Sequence, residues 1–170
     1  MPISLRTLER AAARPHVELA RSMDEAVGAD LRTAFLSHSH HDARYAQGVA
    51  AMLADAGLDA YIDWEDAAMP SRPDQRTAER IKDRIAACDL FIFLATPESR
   101  GSKWCPWEIG LADGLKNRRD ILLVQTADDL GRHYGSEYLG LYRRIDLART
   151  GELAVFRPGS SKTRVLVESL

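Results

Sequence analysis

The residues best suited to chemistry lie in one stretch, Ser102-Lys103-Trp104-Cys105-Pro106-Trp107-Glu108-Ile109-Gly110. Just upstream, Leu90-Phe91-Ile92-Phe93-Leu94-Ala95 is apolar throughout, without alternation. That is the pattern of a central parallel strand covered on both faces. Thr96 to Gly101 reads as a polar loop and Ser102 as a helix N-cap. Pro106 belongs in a first turn, where a missing N–H costs nothing. A helix opening near Ser102 or Cys105 places Trp104, Glu108 and Leu111/Ala112 on one side. Glu108 then sits just past the carboxyl end of a buried strand, where ligands bind in open α/β sheets. The alternative is a solvated carboxylate that complements the helix dipole. Cys105 is a second candidate, as a nucleophile. No histidine with a supporting acid is tied to it, which favours packing or incidental exposure.

The composition bounds what such a site can serve. The chain has 170 residues, 45% hydrophobic and 28% charged, enough for one domain with a real core plus some extension. Its formal net charge is -2, with both signs interspersed, so there is no basic footprint for nucleic acid. No apolar run approaches the length of a membrane span, and no signal-peptide pattern opens the chain. Cys88 and Cys105 form neither a disulfide framework nor a CxxC pair, so the expected setting is the reduced cytoplasm.

Several elements must position the stretch. Residues 1 to about 30 carry helical patterning, broken near Pro15 and ended by Gly28. The first sheet strand is Thr33-Ala34-Phe35-Leu36-Ser37, which runs into the loop His38-Ser39-His40-His41-Asp42. Asp42 or Ser39 can cap the following helix, which has Tyr45, Ala46, Val49, Ala50, Leu53 and Ala54 at 3–4 spacing and stops at Gly57. Leu58 to Asp63 is a short strand ending in acid. The long loop from Trp64 to Asp74 holds two prolines, three acids and an aromatic, more than a bare connection needs. A helix from Gln75 to Cys88 precedes the central strand. Ile121 to Gln125 forms a fourth strand and Arg144 to Leu147 a last short one, with a short helix through Tyr138 to Tyr142 between them. The tail from Leu153 to Gly159 pairs or packs on the domain. Strands alternating with helices in this way give βαβ units and a right-handed, mostly parallel sheet. GxGxxG and GxxxxGK[ST] phosphate cradles are both absent.

Three loops thus meet at the carboxyl edge of the sheet, and their residues resemble those of a known family. Ala34-Phe35-Leu36-Ser37-His38-Ser39 is similar to the opening box of Toll/interleukin-1 receptor (TIR) domains. Asp63 and its loop resemble the second box, the BB loop. Ser102 to Glu108 resembles the Ser-x-Trp-Cys-x-x-Glu motif of enzymatic TIR domains. The resemblance spans residues 31 to 147 and implies an α/β, flavodoxin-like, mostly parallel five-stranded sheet. Residues 1–30 are then an N-terminal helical extension and 148–170 a tail packed on the domain. The family further implies cleavage of NAD, as substrate and not cofactor, with Glu108 as the catalytic residue. The histidine-rich first loop and standalone build are most similar to TIR proteins of bacterial anti-phage defence, including the Thoeris type. The second loop departs from the receptor pattern: Met69-Pro70-Ser71-Arg72-Pro73 replaces the usual Pro-Gly, which puts receptor-style adaptor binding in doubt.

One glutamate suits that chemistry. The nicotinamide nitrogen of NAD is already cationic, so the group leaves neutral and needs no acid. An oxocarbenium-like ribose is what requires stabilising, and a carboxylate does so. The substrate-binding set expected around Glu108 is Phe35, Ser37, His38, Asp63, Trp64, Arg72 and Trp104. Ser37 and His38 can meet phosphate or ribose and Arg72 a phosphate, and Trp64 or Trp104 can wall the pocket or belong to the core. The cluster His38, His40 and His41 invites a metal reading, with Asp42 or Asp63 completing the shell, yet no spaced partner set such as HExxH accompanies it, so no metal is expected. The expected partners are NAD and further copies of the chain through TIR–TIR contacts, with no nucleic acid and no membrane. The alternative function is a non-catalytic TIR scaffold module that assembles with other TIR domains.

Overall fold

The computed structural model describes residues 1–14, 32–62, 75–128, 130–134, 137–160, 162 and 164–170. A two-residue strand β1 (Ile3–Ser4) opens into helix α1 (Leu5–Ala12), capped by the Ser4 hydroxyl, which accepts from the Thr7 N–H. There follow β2 (Arg32–Ser37), α2 (Ala43–Asp55), β3 (Leu58–Tyr61), α3 (Gln75–Ala87) and β4 (Leu90–Ala95). The short α4 (Pro97–Gly101), α5 (Cys105–Leu115), β5 (Ile121–Ala127), β6 (Arg143–Leu147), β7 (Leu153–Phe156) and β8 (Arg164–Leu166) complete the described α-helices and strands. The short helix expected through Tyr138 to Tyr142 is a 3-10 turn over Glu137–Leu141.

Five strands run parallel in the order β3-β2-β4-β5-β6. This is the flavodoxin-like winding, in which the chain steps outward from β2 to β3 and then crosses back to β4. The parallel core therefore has the expected five strands, but the sheet extends further. β7 pairs antiparallel with β6, and β8 with β7, so part of the tail completes the sheet edge. The N-terminal segment, expected to be helical, begins instead with β1, which pairs parallel with the end of β5 through Ile3 and Thr126. Residues 15–31 lie outside the described residues.

Strand alternation sorts the core into two layers. Ala34, Leu36, Ile92, Leu94, Leu122 and Val124 face α1 and α2, together with Leu8, Val49 and Leu53. Phe35, Phe91, Phe93, Ala95, Ile121 and Leu123 face α3 and α5, together with Ile81, Ile85, Cys105 and Ile109. Helix α1 lies so close on α2 that a Cβ at Gly48 would stand 2.2 Å from the Leu8 carbonyl oxygen. Gly57 closes α2 with φ +77°, the left-handed turn expected of a glycine at that place.

Candidate active site

The same alternation decides where the polar end of β2 points. Ser37 follows Phe35 by two residues and so faces the α5 side of the sheet. α5 begins at Cys105 with Pro106 in its first turn, as the sequence implies. Its first turn carries Glu108 over the carboxyl ends of β2 and β4, the point where the strand order reverses. There the Ser37 hydroxyl donates to Glu108 Oε2 at 2.6 Å. Both groups are buried, Glu108 being 4% exposed and Ser37 1%. Glu108 is thus no solvated helix-dipole partner but a buried carboxylate held at the end of β2. Hydrogen bonds to an ionised group are short and among the stronger ones, so this contact fixes one carboxylate oxygen.

The loop that delivers α5 is more ordered than the polar stretch expected from sequence. Thr96 caps α4: its hydroxyl accepts from the Ser99 N–H at 3.0 Å, and Ser99 Oγ accepts from the Thr96 N–H at 2.9 Å. Ser102, expected as an N-cap, closes α4 and accepts at Oγ from the N–H groups of Trp104 and Cys105, at 3.2 and 3.3 Å. Asp42 makes no side-chain bond to the start of α2, contrary to a capping role there. Its Oδ2 accepts instead from Thr96 Oγ1 at 2.5 Å, and the carboxylate is 2% exposed. Burial pushes the Asp42 carboxyl above the ordinary aspartate value, opposed by the Thr96 bond; Glu98 raises it further and His41 lowers it. Ser39 caps the single turn His40–Asp42, accepting from the His41 N–H.

Other expected site residues fall in different places. Phe35 is in the core, 1% exposed, with its ring stacked on Phe91 at 5.8 Å and tilted against Tyr61. It packs within the α3/α5 layer of the core. His38 is buried, and its Nδ1 donates to the Leu36 carbonyl at 2.9 Å, which turns the ring back along β2. Trp104 is half-buried against the α3/α5 layer and meets the exposed Trp107 edge-to-face at 5.4 Å. Asp63, Trp64 and Arg72 lie outside the described residues. Cys105 is fully buried, and burial, with the nearby Glu108 and Asp42 charges, pushes its thiol up to about 12. A thiol held protonated is packing, not a nucleophile. His40 and His41 are exposed while His38 is turned inward, and among the described residues no group of His, Cys, Asp or Glu is arranged to hold a metal ion.

Thr96 escaped the sequence reading as a site neighbour, and Asp42 entered it only as a helix cap or a metal ligand. The available signal was Asp42 itself, an acid at the end of the first loop, but a helix cap explained it equally well from sequence.

The chain is 37% identical over 110 residues to a protein of Bacillus cereus (strain MSX-D12) named probable 3′ cyclic ADP-D-ribose synthase ThsB′. That match takes in 64% of this chain and 57% of the relative, so the chain spans little more than half of the relative's length. Residues 34–155 match the TIR domain family model, a span that runs from the middle of β2 to β7 and contains Ser37, Asp42 and the whole Glu108 stretch. With that match laid over a five-stranded parallel core and a buried glutamate at its switch point, the chain belongs to the TIR domain family.

Proposed function

We propose that this chain cleaves the N-glycosidic bond between nicotinamide and ribose in NAD, acting as a glycohydrolase or ADP-ribosyl cyclase. The supporting observation is the buried Glu108 carboxylate held by Ser37 at the carboxyl edge of β2 and β4. The name of the Bacillus cereus relative, a cyclic ADP-ribose synthase, supports the same reading.

In this reaction the C–N bond to the pyridinium breaks and its electron pair returns to the ring, so nicotinamide leaves neutral. Positive charge develops on the ribose, and the negative charge of Glu108 stabilises it. The Ser37 hydroxyl, bonded to Oε2, holds the carboxylate in place as that charge develops. Attack by water then gives ADP-ribose and a proton. Attack by a hydroxyl of the same molecule gives a cyclic product and a proton. Burial of Glu108 strengthens its field at the sugar, because less water screens it. NAD enters as substrate, and the proposed chemistry calls for no further cofactor.

The biological setting we propose is signalling in bacterial anti-phage defence, in the cytoplasm, with copies of the chain assembling through TIR–TIR contacts. Among the described residues no helix is long and apolar enough to cross a membrane. The loop at 64–74, with Trp64 and Met69 expected to form the contact between copies, lies outside the described residues. Assembly makes activity per molecule rise with protein concentration.

The deciding experiment is nicotinamide release from NAD by the purified chain over a range of protein concentrations, beside Glu108→Gln. Release by the parent protein and none by a folded Glu108→Gln variant supports the assignment. Near-parental turnover by that variant overturns it. Assembly without turnover at any concentration favours the scaffold module.

A further inference from the structure

We propose that Asp42 is a positioning residue for Glu108, acting through Thr96 to hold the turn from which α5 starts. The catalytic consequence rests on the function proposed above; the positioning itself does not.

A continuous chain of hydrogen bonds carries the inference. Asp42 Oδ2 accepts from Thr96 Oγ1 at 2.5 Å, joining the end of the first loop to the residue after β4. The same Thr96 hydroxyl accepts from the Ser99 N–H, and Ser99 Oγ donates to the Thr96 carbonyl at 3.1 Å, so Thr96 anchors α4. The Ser102 N–H donates to the Glu98 carbonyl at 3.0 Å, which ends α4. Ser102 Oγ then takes the Trp104 and Cys105 N–H groups. The Glu108 N–H donates to the Trp104 carbonyl at 2.8 Å and closes the first turn of α5.

Asp42 anchors the start of this chain, as Ser37 on β2 holds its end at Glu108. It immediately precedes α2, which packs on the opposite face of the sheet from α5. The Asp42–Thr96 bond therefore ties the two helix layers together across the top of the sheet. A carboxylate that is 2% exposed is costly to bury, and it caps nothing in its own helix. Besides the Ser39 backbone of its own turn, it bonds to the segment that delivers Glu108. Displacing that segment by an ångström would misalign the carboxylate with the sugar, at a cost of about 100-fold in rate. The charged and titratable groups around Asp42 are His41 on its own turn, Tyr45 on α2, Glu98 on α4 and Cys105 on α5.

Four variants separate positioning from general stability. Asp42→Ala leaves the Thr96 cap of α4 intact but removes the tie. Asp42→Asn keeps an acceptor for the Thr96 hydroxyl. Thr96→Val removes cap and tie together, and Thr96→Ser keeps both. For nicotinamide release, Asp42→Ala and Thr96→Val should lower kcat by about 10- to 100-fold with KM within about twofold. Asp42→Asn and Thr96→Ser should recover most of that loss. Amide hydrogen exchange supplies a readout independent of activity. Asp42→Ala should speed exchange at residues 102–108 while the β5 amides keep parental protection. Uniformly faster exchange throughout the sheet, or unchanged exchange at 102–108, overturns the proposal. A parent protein that releases no nicotinamide would count against the NAD reading alone, because the exchange pattern still decides the positioning.

Discussion

Ser37 Oγ lies 2.6 Å from Glu108 Oε2, a single hydrogen bond joining the end of β2 to the first turn of α5 across 71 residues of sequence. This changes the part assigned to Ser37. A hydroxyl spent on the carboxylate is an aligning group for Glu108 before it is a ligand for phosphate or ribose. Ser37→Ala should lower kcat for nicotinamide release by about ten- to a hundred-fold, the range of a hydrogen bond to a charged group, with KM little changed. Steady-state kinetics decide. A rise in KM at constant kcat would return Ser37 to the role of a substrate ligand.

The α1–α2 contact makes a prediction about stability in which two effects oppose each other. Gly48→Ala gains about 1 kcal/mol of helix propensity. The new Cβ, however, would meet the Leu8 backbone oxygen at 2.2 Å, and backbone cannot swing aside as a side chain can. Overpacking of this kind costs roughly 1–3 kcal/mol or more, so the net effect should be destabilising. Thermal melting should show Tm lowered by about 2–4 °C for each kcal/mol lost. A raised Tm would mean that α1 does not rest on α2 at Gly48.

Both thiols are pushed by burial from the ordinary value of 9.0 up to about 12. In the native protein they stay protonated while those of the unfolded chain ionise. The unfolded state then binds fewer protons, so stability falls as pH rises from about 9 toward about 12 and is fully present below that window. Denaturant melts at pH 8 and pH 10 measure the slope. Thiol reagents should label the native protein slowly at both cysteines, and Cys105→Ala should retain turnover. Fast labelling of Cys105 with matching loss of turnover would reinstate it as a nucleophile.

The histidine loop gives the metal prediction. His38 bonds to the Leu36 carbonyl while His40 and His41 face solvent, so the three rings do not converge. EDTA should leave nicotinamide release unchanged, and elemental analysis should find no stoichiometric zinc. Activity lost to chelation and restored by one metal ion would falsify this.

The sequence by itself determined that the sheet is mostly parallel and that Glu108 opens a helix after a buried strand. Unbroken apolar runs such as Leu90–Ala95 demand cover on both faces, and their alternation with helices allows little but a parallel sheet. Pro106 and the polar residues before it fix a helix start after such a strand, which puts Glu108 at the carboxyl edge. Those are local rules, and a linear text carries them. What only the tertiary structure decided are contacts between residues far apart in the chain. Ser37 and Thr96 can each bond many partners, and Asp42 suits a helix cap as well as a cross-layer tie. Nothing local discriminates among these until the two helix layers close over the sheet. β1 was hidden for the same reason. A two-residue strand has no periodicity to read, and it is held only because the end of β5 offers it a free edge. Phe35 shows the converse. It was expected among the substrate-binding residues of the opening box, while its place on the pleat, stacked on Phe91, buries it in the core.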